Sequence, residues 1–189
     1  MKVLKCTVVG DVGTGKTSLL VSKNMVESTI PAECVTNQLW DYPVKPMFDG
    51  KHISLEAWDK PFPLKSKPKK PLQYSKTDIF LLCFSIVNIE SFKSIKEKWY
   101  PHLNNFCPKI PIILIGIDSD LRNNENDEEN YISYAKGLEM AKEINAIKYL
   151  ECSILTKDGL NKISNEAMRL ILNSSKKSNK NKKSKCFIM

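Results

Sequence analysis

The stretch Gly-Asp-Val-Gly-Thr-Gly-Lys-Thr at residues 10–17 constrains this chain more than any other. It fits G-x-x-x-x-G-K-[ST], with an apolar, β-branched segment before it and a segment typical of a helix start, from Ser18, after it. Glycines let backbone N–H groups line a concavity for phosphate oxygens. In this pattern Lys16 reaches the β- and γ-phosphates, and the Thr17 hydroxyl binds Mg²⁺. The pattern predicts a phosphate-binding loop made of Gly10, Asp11, Val12, Gly13, Thr14, Gly15, Lys16 and Thr17.

The alternative is a glycine-rich turn that binds nothing, and the strand before the motif and the helix after it argue against that alternative. Further along the chain, apolar segments alternate with helical patterns. We predict strands at 3–9, 40–48, 52–58, 78–87, 111–116 and 147–152, and helices from 18, at 88–99, at 134–144 and at 160–172. Asp49-Gly50 is a hairpin signal between the second and third strands. The alternation predicts an α/β fold, a doubly wound, mostly parallel six-stranded sheet with helices on both faces.

Loops at the carboxyl ends of such strands build the ligand site. Gly10–Thr17, Asp59, residues 117–120 and residues 153–155 all fall at such ends. We therefore expect them to converge on one pocket. The region from 27 to 39 is too polar and broken for a regular element, and the loop from Lys60 to Pro71 carries four prolines.

The net charge of +8 is concentrated in two places. Five lysines lie between 60 and 70, which is either a solvated loop of no function or a binding surface. Six more crowd the last fourteen residues, where they could serve nucleic acid or an anionic membrane. The six cysteines show no C-x-x-C pairing, and there is no signal-peptide pattern, so we expect reduced thiols in a cytosolic setting.

Several segments now resemble the Ras-superfamily small GTPases, and the Rho family's Rac-like members most closely. The similarity covers nearly the whole chain. It is carried by residues 71–74, 77–85, 98–101, 140–144 and 148–153. The resemblance implies a guanine-nucleotide switch that binds GTP or GDP with Mg²⁺, acts as a monomer and meets effector and regulator proteins of Rho type. It also implies a domain at 1–173 and a flexible tail at 174–189.

By the same resemblance, the guanine site falls on Asp118, Asp120, Ser153 and Ile154. Asp120 keeps the carboxylate that accepts hydrogen bonds from the guanine N1–H and amine. Asp118 replaces the family's lysine or glutamine, which removes apolar cover and places negative charge near the ligand. The aromatic residue that lies against the base has its nearest counterpart in Ile30. We expect guanine selectivity to survive with a looser grip.

The resemblance assigns Mg²⁺ to Thr17, Asp59 and a first-switch residue, either Thr36 or Asn37. Departures cluster where the family orients the attacking water. Phe62 replaces a glycine and Pro63 replaces the glutamine, whereas Val12 crowds the phosphate loop. A proline side chain cannot hold water by hydrogen bonding. These departures predict weak hydrolysis and leave no catalytic residue assigned.

The final Cys-Phe-Ile-Met fits C-a-a-X, with Cys186 as the prenylated residue and a terminal Met that favours farnesyl over geranylgeranyl. The alternative is an accidental cysteine, which the upstream lysines argue against. One lipid chain anchors marginally, whereas basic residues near an anionic leaflet add about 1 kcal/mol each. We therefore expect the tail to bind the cytoplasmic face of the plasma membrane, not nucleic acid, with some protein in the cytosol.

Three functions stay open at this point. The chain could be a GTP-loaded signalling switch with little hydrolysis, or a pseudo-GTPase scaffold whose nucleotide is structural or absent. A hydrolytic cycle with a rearranged water site is the third.

Overall fold

A computed structural model describes residues 4–22, 47–48, 51–58, 74–122 and 131–170. Its strands are β1 Leu4–Gly10, β2 Met47–Phe48, β3 Lys51–Trp58, β4 Ile79–Ser85, β5 Ile112–Ile117 and β6 Lys148–Cys152. Its helices are α1 Lys16–Val21, α2 Ile89–Ser94, α3 Tyr100–Phe106, α4 Tyr134–Glu143 and α5, which is described over 160–170. A π-helical segment, Ile95–Trp99, joins α2 to α3, and a 3₁₀ turn, Ser119–Leu121, follows β5.

The strands form one six-stranded sheet in the order β2-β3-β1-β4-β5-β6. β1 pairs in parallel with β3 and β4, and β5 pairs in parallel with β4 and β6. Only β2 runs antiparallel to its neighbour, with Phe48 opposite Lys51. The predicted α/β fold is confirmed, and β2 and β3 pair antiparallel on either side of Asp49-Gly50, which lie outside the described residues.

Two apolar layers cover the sheet. One contains Val8, Leu19 and Ile115 with Leu160 of α5, and the other contains Phe80, Leu82 and Trp99 with Met140 and Tyr149. Every residue of β4 and β5 is buried, as expected for strands that are apolar throughout. The carboxyl ends of β1, β4, β5 and β6 consequently share one edge.

The helical region after β4 begins as its sequence indicates. The Asn88 side chain accepts a hydrogen bond of 3.0 Å from the backbone N–H of Ser91, so it caps α2. The continuous helix expected over 88–99 is instead opened by the π-helical segment, where the N–H of Tyr100 donates to the carbonyl of Ile95, five residues earlier. Pro101 supplies the physical reason, because a proline has no N–H and its ring clashes with the carbonyl four residues before it.

One smaller difference concerns the start of the first helix. The first helix begins at Lys16, inside the glycine motif, and not at Ser18. Within the described ranges, no helix combines the length and apolar character that a membrane crossing requires.

Candidate functional site

The loop at residues 10–17 lies between β1 and α1 and depends on two glycines. A Cβ on Gly10 would collide with the backbone carbonyl of Cys83 on the adjacent strand. Gly15 has φ 81°, and a Cβ there would lie 3.2 Å from Ile117 and 3.3 Å from Ile154. Glycine is therefore required at both positions, because the backbone of β4 lies against Gly10, and the last side chain of β5 and one after β6 lie against Gly15, whose φ is also left-handed.

Lys16 places a buried amine at the centre of this loop. Its side chain is 2% exposed, and its Nζ donates to the carbonyl of Asp11 at 2.5 Å and to the Thr14 hydroxyl at 3.2 Å. The Thr14 hydroxyl in turn donates to the same carbonyl. A buried cation is costly unless it is hydrogen-bonded. The loop satisfies that need with its own oxygens and keeps the positive charge inside its concavity.

Asp11 ties the loop to the π-helical segment. Its Oδ1 accepts from the indole N–H of Trp99 at 2.9 Å and from Lys98 Nζ at 3.0 Å. Burial disfavours the charged form of Asp11, but hydrogen bonds from Ser94, Trp99 and Lys98 outweigh burial and hold its pKa below the ordinary value. The sequence did not indicate this contact. The one local feature connected with it is Pro101, two residues after Trp99, because this proline opens the helix that carries Trp99.

Asp118 and Asp120 lie directly after β5. Asp118 adopts a left-handed backbone, φ 69°, and precedes the 3₁₀ turn that carries Asp120. Its Oδ2 accepts from the hydroxyl of Ser85, at the end of β4, at 2.5 Å. Burial raises the pKa of the Cys152 thiol to about 12, and the charges of Asp118, Glu151 and Asp120 add to that rise. Ile117 pairs with Cys152, so the turn that carries both aspartates begins beside the end of β6.

Ser153 and Ile154 follow β6 and complete this edge. The buried Ser153 hydroxyl accepts from the N–H of Thr156 at 2.9 Å, and its backbone N–H donates to the carbonyl of Asp158. Ser153 therefore shapes its own loop. Ile154 packs against the core next to Gly15 and links the β6 loop to the phosphate loop.

An open cleft of about 580 Å³ runs between these loops. It brings Gly13 of the phosphate loop to the same wall as Asp118, and its other lining residues are Ser85, Val87, Asn88, Ile89 and Glu90. The cleft therefore joins the phosphate loop to the turn after β5, whereas residues 153–155 are not among its lining residues. Val12 stands next to Gly13 with its side chain 63% exposed.

Arg122 ties down the chain just after the 3₁₀ turn. Arg122 makes a bidentate ion pair with Glu151, at 2.8 and 2.9 Å, and donates to the carbonyl of Ile132. Tyr149 donates to the same carboxylate at 2.6 Å. Hydrogen bonding to Glu151 is the main reason that the pKa of Arg122 is raised. Sequence reasoning missed this network, because Arg122 and Glu151 are 29 residues apart.

The described residues fit a bound nucleoside phosphate with Mg²⁺. They supply a glycine cradle, the buried amine of Lys16 and the hydroxyl-bearing Thr17 in the first turn of α1. The other predicted metal ligands, Asp59 and either Thr36 or Asn37, lie outside the described residues, as do Ile30, Phe62, Pro63, the Lys60–Pro71 loop, Cys186 and the tail.

Comparison with known protein families gives a match over almost the whole chain. The family model described as "Ras family" matches residues 5–173.

Proposed function

We propose, on the premise that this chain belongs to the Ras family of small GTP-binding switch proteins, that it is a Rac-like, membrane-anchored signalling switch with weak GTP hydrolysis. Family membership supports guanine nucleotide as its ligand, generally with Mg²⁺, and effector and regulator proteins as its partners. The Rac-like character rests on the sequence segments given above.

The observation that carries the proposal is the position of Lys16. Its amine is buried inside the loop, beside the carbonyl of Asp11 and the hydroxyl of Thr14. When GTP is bound, Mg²⁺ and the loop neutralise charge on the β- and γ-phosphates. Lys16 would bind those phosphates, Thr17 would hold the metal and Asp120 would accept from the guanine edge.

Weak hydrolysis follows from residues that cannot orient a water. Pro63 offers no hydrogen-bonding side chain, and Phe62 lacks the freedom of glycine. Val12 projects from the phosphate loop into solvent, where it would crowd an incoming arginine finger. Signalling in this proposal depends on the GTP-bound population more than on turnover.

Two measurements test this proposal. Nucleotide extracted from gently purified protein should be mainly GTP, and single-turnover hydrolysis should fall below the ordinary intrinsic rate of about 3–5 × 10⁻⁴ s⁻¹. The triple variant Val12→Gly, Phe62→Gly, Pro63→Gln should recover turnover, whereas Pro63→Gln alone should recover little, because the positions act on one transition state.

The alternatives give different results. Protein that carries no nucleotide and binds none in titration would be a scaffold. Hydrolysis at the ordinary rate by the parent would show that another group orients the water, with Lys60 the first to test.

A further inference from the structure

The carboxylate of Asp118 forms a hydrogen bond within the protein. Its Oδ2 lies 2.5 Å from the hydroxyl of Ser85, which is 4% exposed at the end of β4. Although Asp118 occupies the residue before the 3₁₀ turn, its side chain does not cap that turn. It crosses instead to the neighbouring strand, 33 residues earlier in the chain.

The backbone of Asp118 matches this use. Its φ of 69° and ψ of 38° are left-handed, a conformation in which aspartate and asparagine are enriched because their short side chains accept hydrogen bonds locally. The carbonyl of Asp118 also accepts from the N–H of Leu121 at 3.1 Å, which closes the turn around Asp120. A long side chain at this position would adopt the same unfavourable left-handed backbone but would not form the hydrogen bond to Ser85.

We propose that Ser85 and Asp118 are positioning residues for Asp120, so that the hydrogen bond between them fixes the turn that reads guanine. The proposal rests on the function proposed above and changes the role expected for Asp118, from a ligand contact to an anchor. The bidentate pair of Arg122 with Glu151 holds the other end of the same turn, two residues after Asp120.

Among the described residues, no group donates a hydrogen bond to the carboxylate of Asp120, which lies between these two fixed points. Its position is therefore set by the backbone of the turn. Loss of either fixed point should move the carboxylate without changing its chemistry, and the guanine-specific contacts should weaken first.

Three variants separate the anchor from other effects. Ser85→Ala removes only the hydroxyl, because the backbone N–H of Ser85 keeps its own bond to Ser91. Asp118→Gly removes the carboxylate at a position where glycine tolerates the left-handed backbone. Asp118→Asn keeps an acceptor for Ser85 and removes the charge. Ser164→Ala is the matched control, because the Ser164 hydroxyl donates only to the carbonyl of Asn161 within α5.

The readout is the ratio of the dissociation constants for ITP and GTP. Inosine lacks the exocyclic amine, so this ratio isolates one contact of Asp120 while sugar and phosphates stay the same. Ser85→Ala and Asp118→Gly should each lower the ratio about tenfold, which corresponds to about 1.4 kcal/mol. Asp118→Asn should stay within about twofold of the parent, and the double variant Ser85→Ala, Asp118→Gly should lose no more than either single one.

Other outcomes overturn the inference in recognisable ways. An unchanged ratio in both Ser85→Ala and Asp118→Gly, with a parent that still prefers GTP to ATP, removes the anchor but leaves the proposed function standing. Tighter GTP binding by Asp118→Gly and Asp118→Asn, with no effect of Ser85→Ala, would show that the carboxylate repels the ligand by its charge. A parent that does not distinguish GTP from ATP would remove both the inference and the proposed function.

Discussion

At the scale of single residues, the function proposed above assigns base recognition to one carboxylate. Asp120 is half-buried in the turn after β5, and its neighbours are committed to other partners, Asp118 to Ser85 and Arg122 to Glu151. The Ser153 hydroxyl likewise bonds within its own loop. Asp120 is therefore the side chain with which the N1–H and the amine of guanine would pair.

Asp120→Ala should abolish the preference for GTP over ATP. An unpaired buried donor costs about 1–3 kcal/mol, and two donors of guanine would lose their acceptor. Titration of labelled GTP and ATP against parent and variant measures the preference. A variant that keeps the parent's margin would show that another group reads the base.

His102 presents a separate residue-scale case. It is 1% exposed, and neither ring nitrogen has a hydrogen-bond partner among the residues that the structure describes. The ring lies among aromatic groups, 5.7 Å from the Tyr74 centroid and 4.9 Å from that of Phe106. Burial lowers the pKa of His102 because the charged form would lose its hydration there.

The sign of the resulting pH dependence is fixed by that direction. Unfolded histidine titrates near pH 6.5, so the unfolded chain binds a proton that the folded chain refuses as pH falls below that value. The part of the free energy of unfolding that depends on a neutral His102 is fully present above about pH 6.5. It is lost as pH falls through the lower folded-state pKa. Between pH 7.5 and 5.5, His102 should cost the parent up to about 1.4 kcal/mol.

His102→Phe should remove this part of the pH dependence and raise the free energy of unfolding at pH 7.5 by about 1–3 kcal/mol, because two unpartnered nitrogens leave the core. Urea denaturation of both proteins at the two pH values provides the measurement. All other titrating groups are the same in both proteins, so the difference between their pH responses reports on His102. Equal losses in the two proteins would mean that His102 is protonated without penalty.

At the scale of elements, the π-helical segment brings Trp99 and Lys98 to the phosphate loop. Both donate to Oδ1 of Asp11, but the indole is fully buried whereas the lysine side chain is 49% exposed. A buried hydrogen bond to a charged group contributes about 1.5–3 kcal/mol, whereas an exposed ion pair contributes about 0–1 kcal/mol.

Trp99→Phe should therefore destabilise the protein by at least about 2 kcal/mol and speed nucleotide release severalfold, because the loop loses its buried tie as well as core volume. Lys98→Met, the matched control, should cost less than about 1 kcal/mol and leave release nearly unchanged. Denaturant midpoints and the dissociation rate of a fluorescent nucleotide measure the two effects. Equal effects of both variants would contradict the role given to the indole.

Local patterns account for the elements that the sequence predicted well. Apolar runs predicted β4 and β5, Asp49-Gly50 predicted the hairpin and Asn88 predicted the cap of α2, because each signal lies within a few residues of its consequence. The opened helix depended on Pro101, and a proline pattern alone does not distinguish a kink from a π-helical segment.

The site was predictable in its parts more than in its contacts. The spacing of the glycine motif predicted the loop at 10–17, and the strand ends predicted that this loop and the turn after β5 lie at one edge of the sheet. The bonds from Asp11 to Trp99 and from Asp118 to Ser85 join residues 88 and 33 positions apart, so no local pattern encodes them. They arise only when the parallel sheet aligns the ends of its strands.

At the scale of the whole molecule, acidic and basic groups lie in different parts of the chain. The cleft carries the acidic groups Asp118 and Glu90, with Asp120 two residues further on, whereas no acid follows Glu166 in the sequence. The lysines of residues 176–185 and Cys186 belong to a part of the chain outside the described residues. Nucleotide binding and membrane attachment are therefore expected to vary independently.

Cys186→Ser should release the protein from membranes in cells, because the lysines supply only about 1 kcal/mol each near an anionic surface and the variant has no prenyl chain to bury in the bilayer. Neutralising the six tail lysines should leave a lipidated protein that spreads to internal membranes and cytosol, since a single lipid chain anchors only marginally. Fractionation and imaging of tagged protein give the distribution, and GTP titration of the purified variants is the control, with dissociation constants expected to match the parent. Retention of the Cys186→Ser variant at the plasma membrane would mean that the lysines or a bound partner, and not a lipid on this cysteine, hold the protein there.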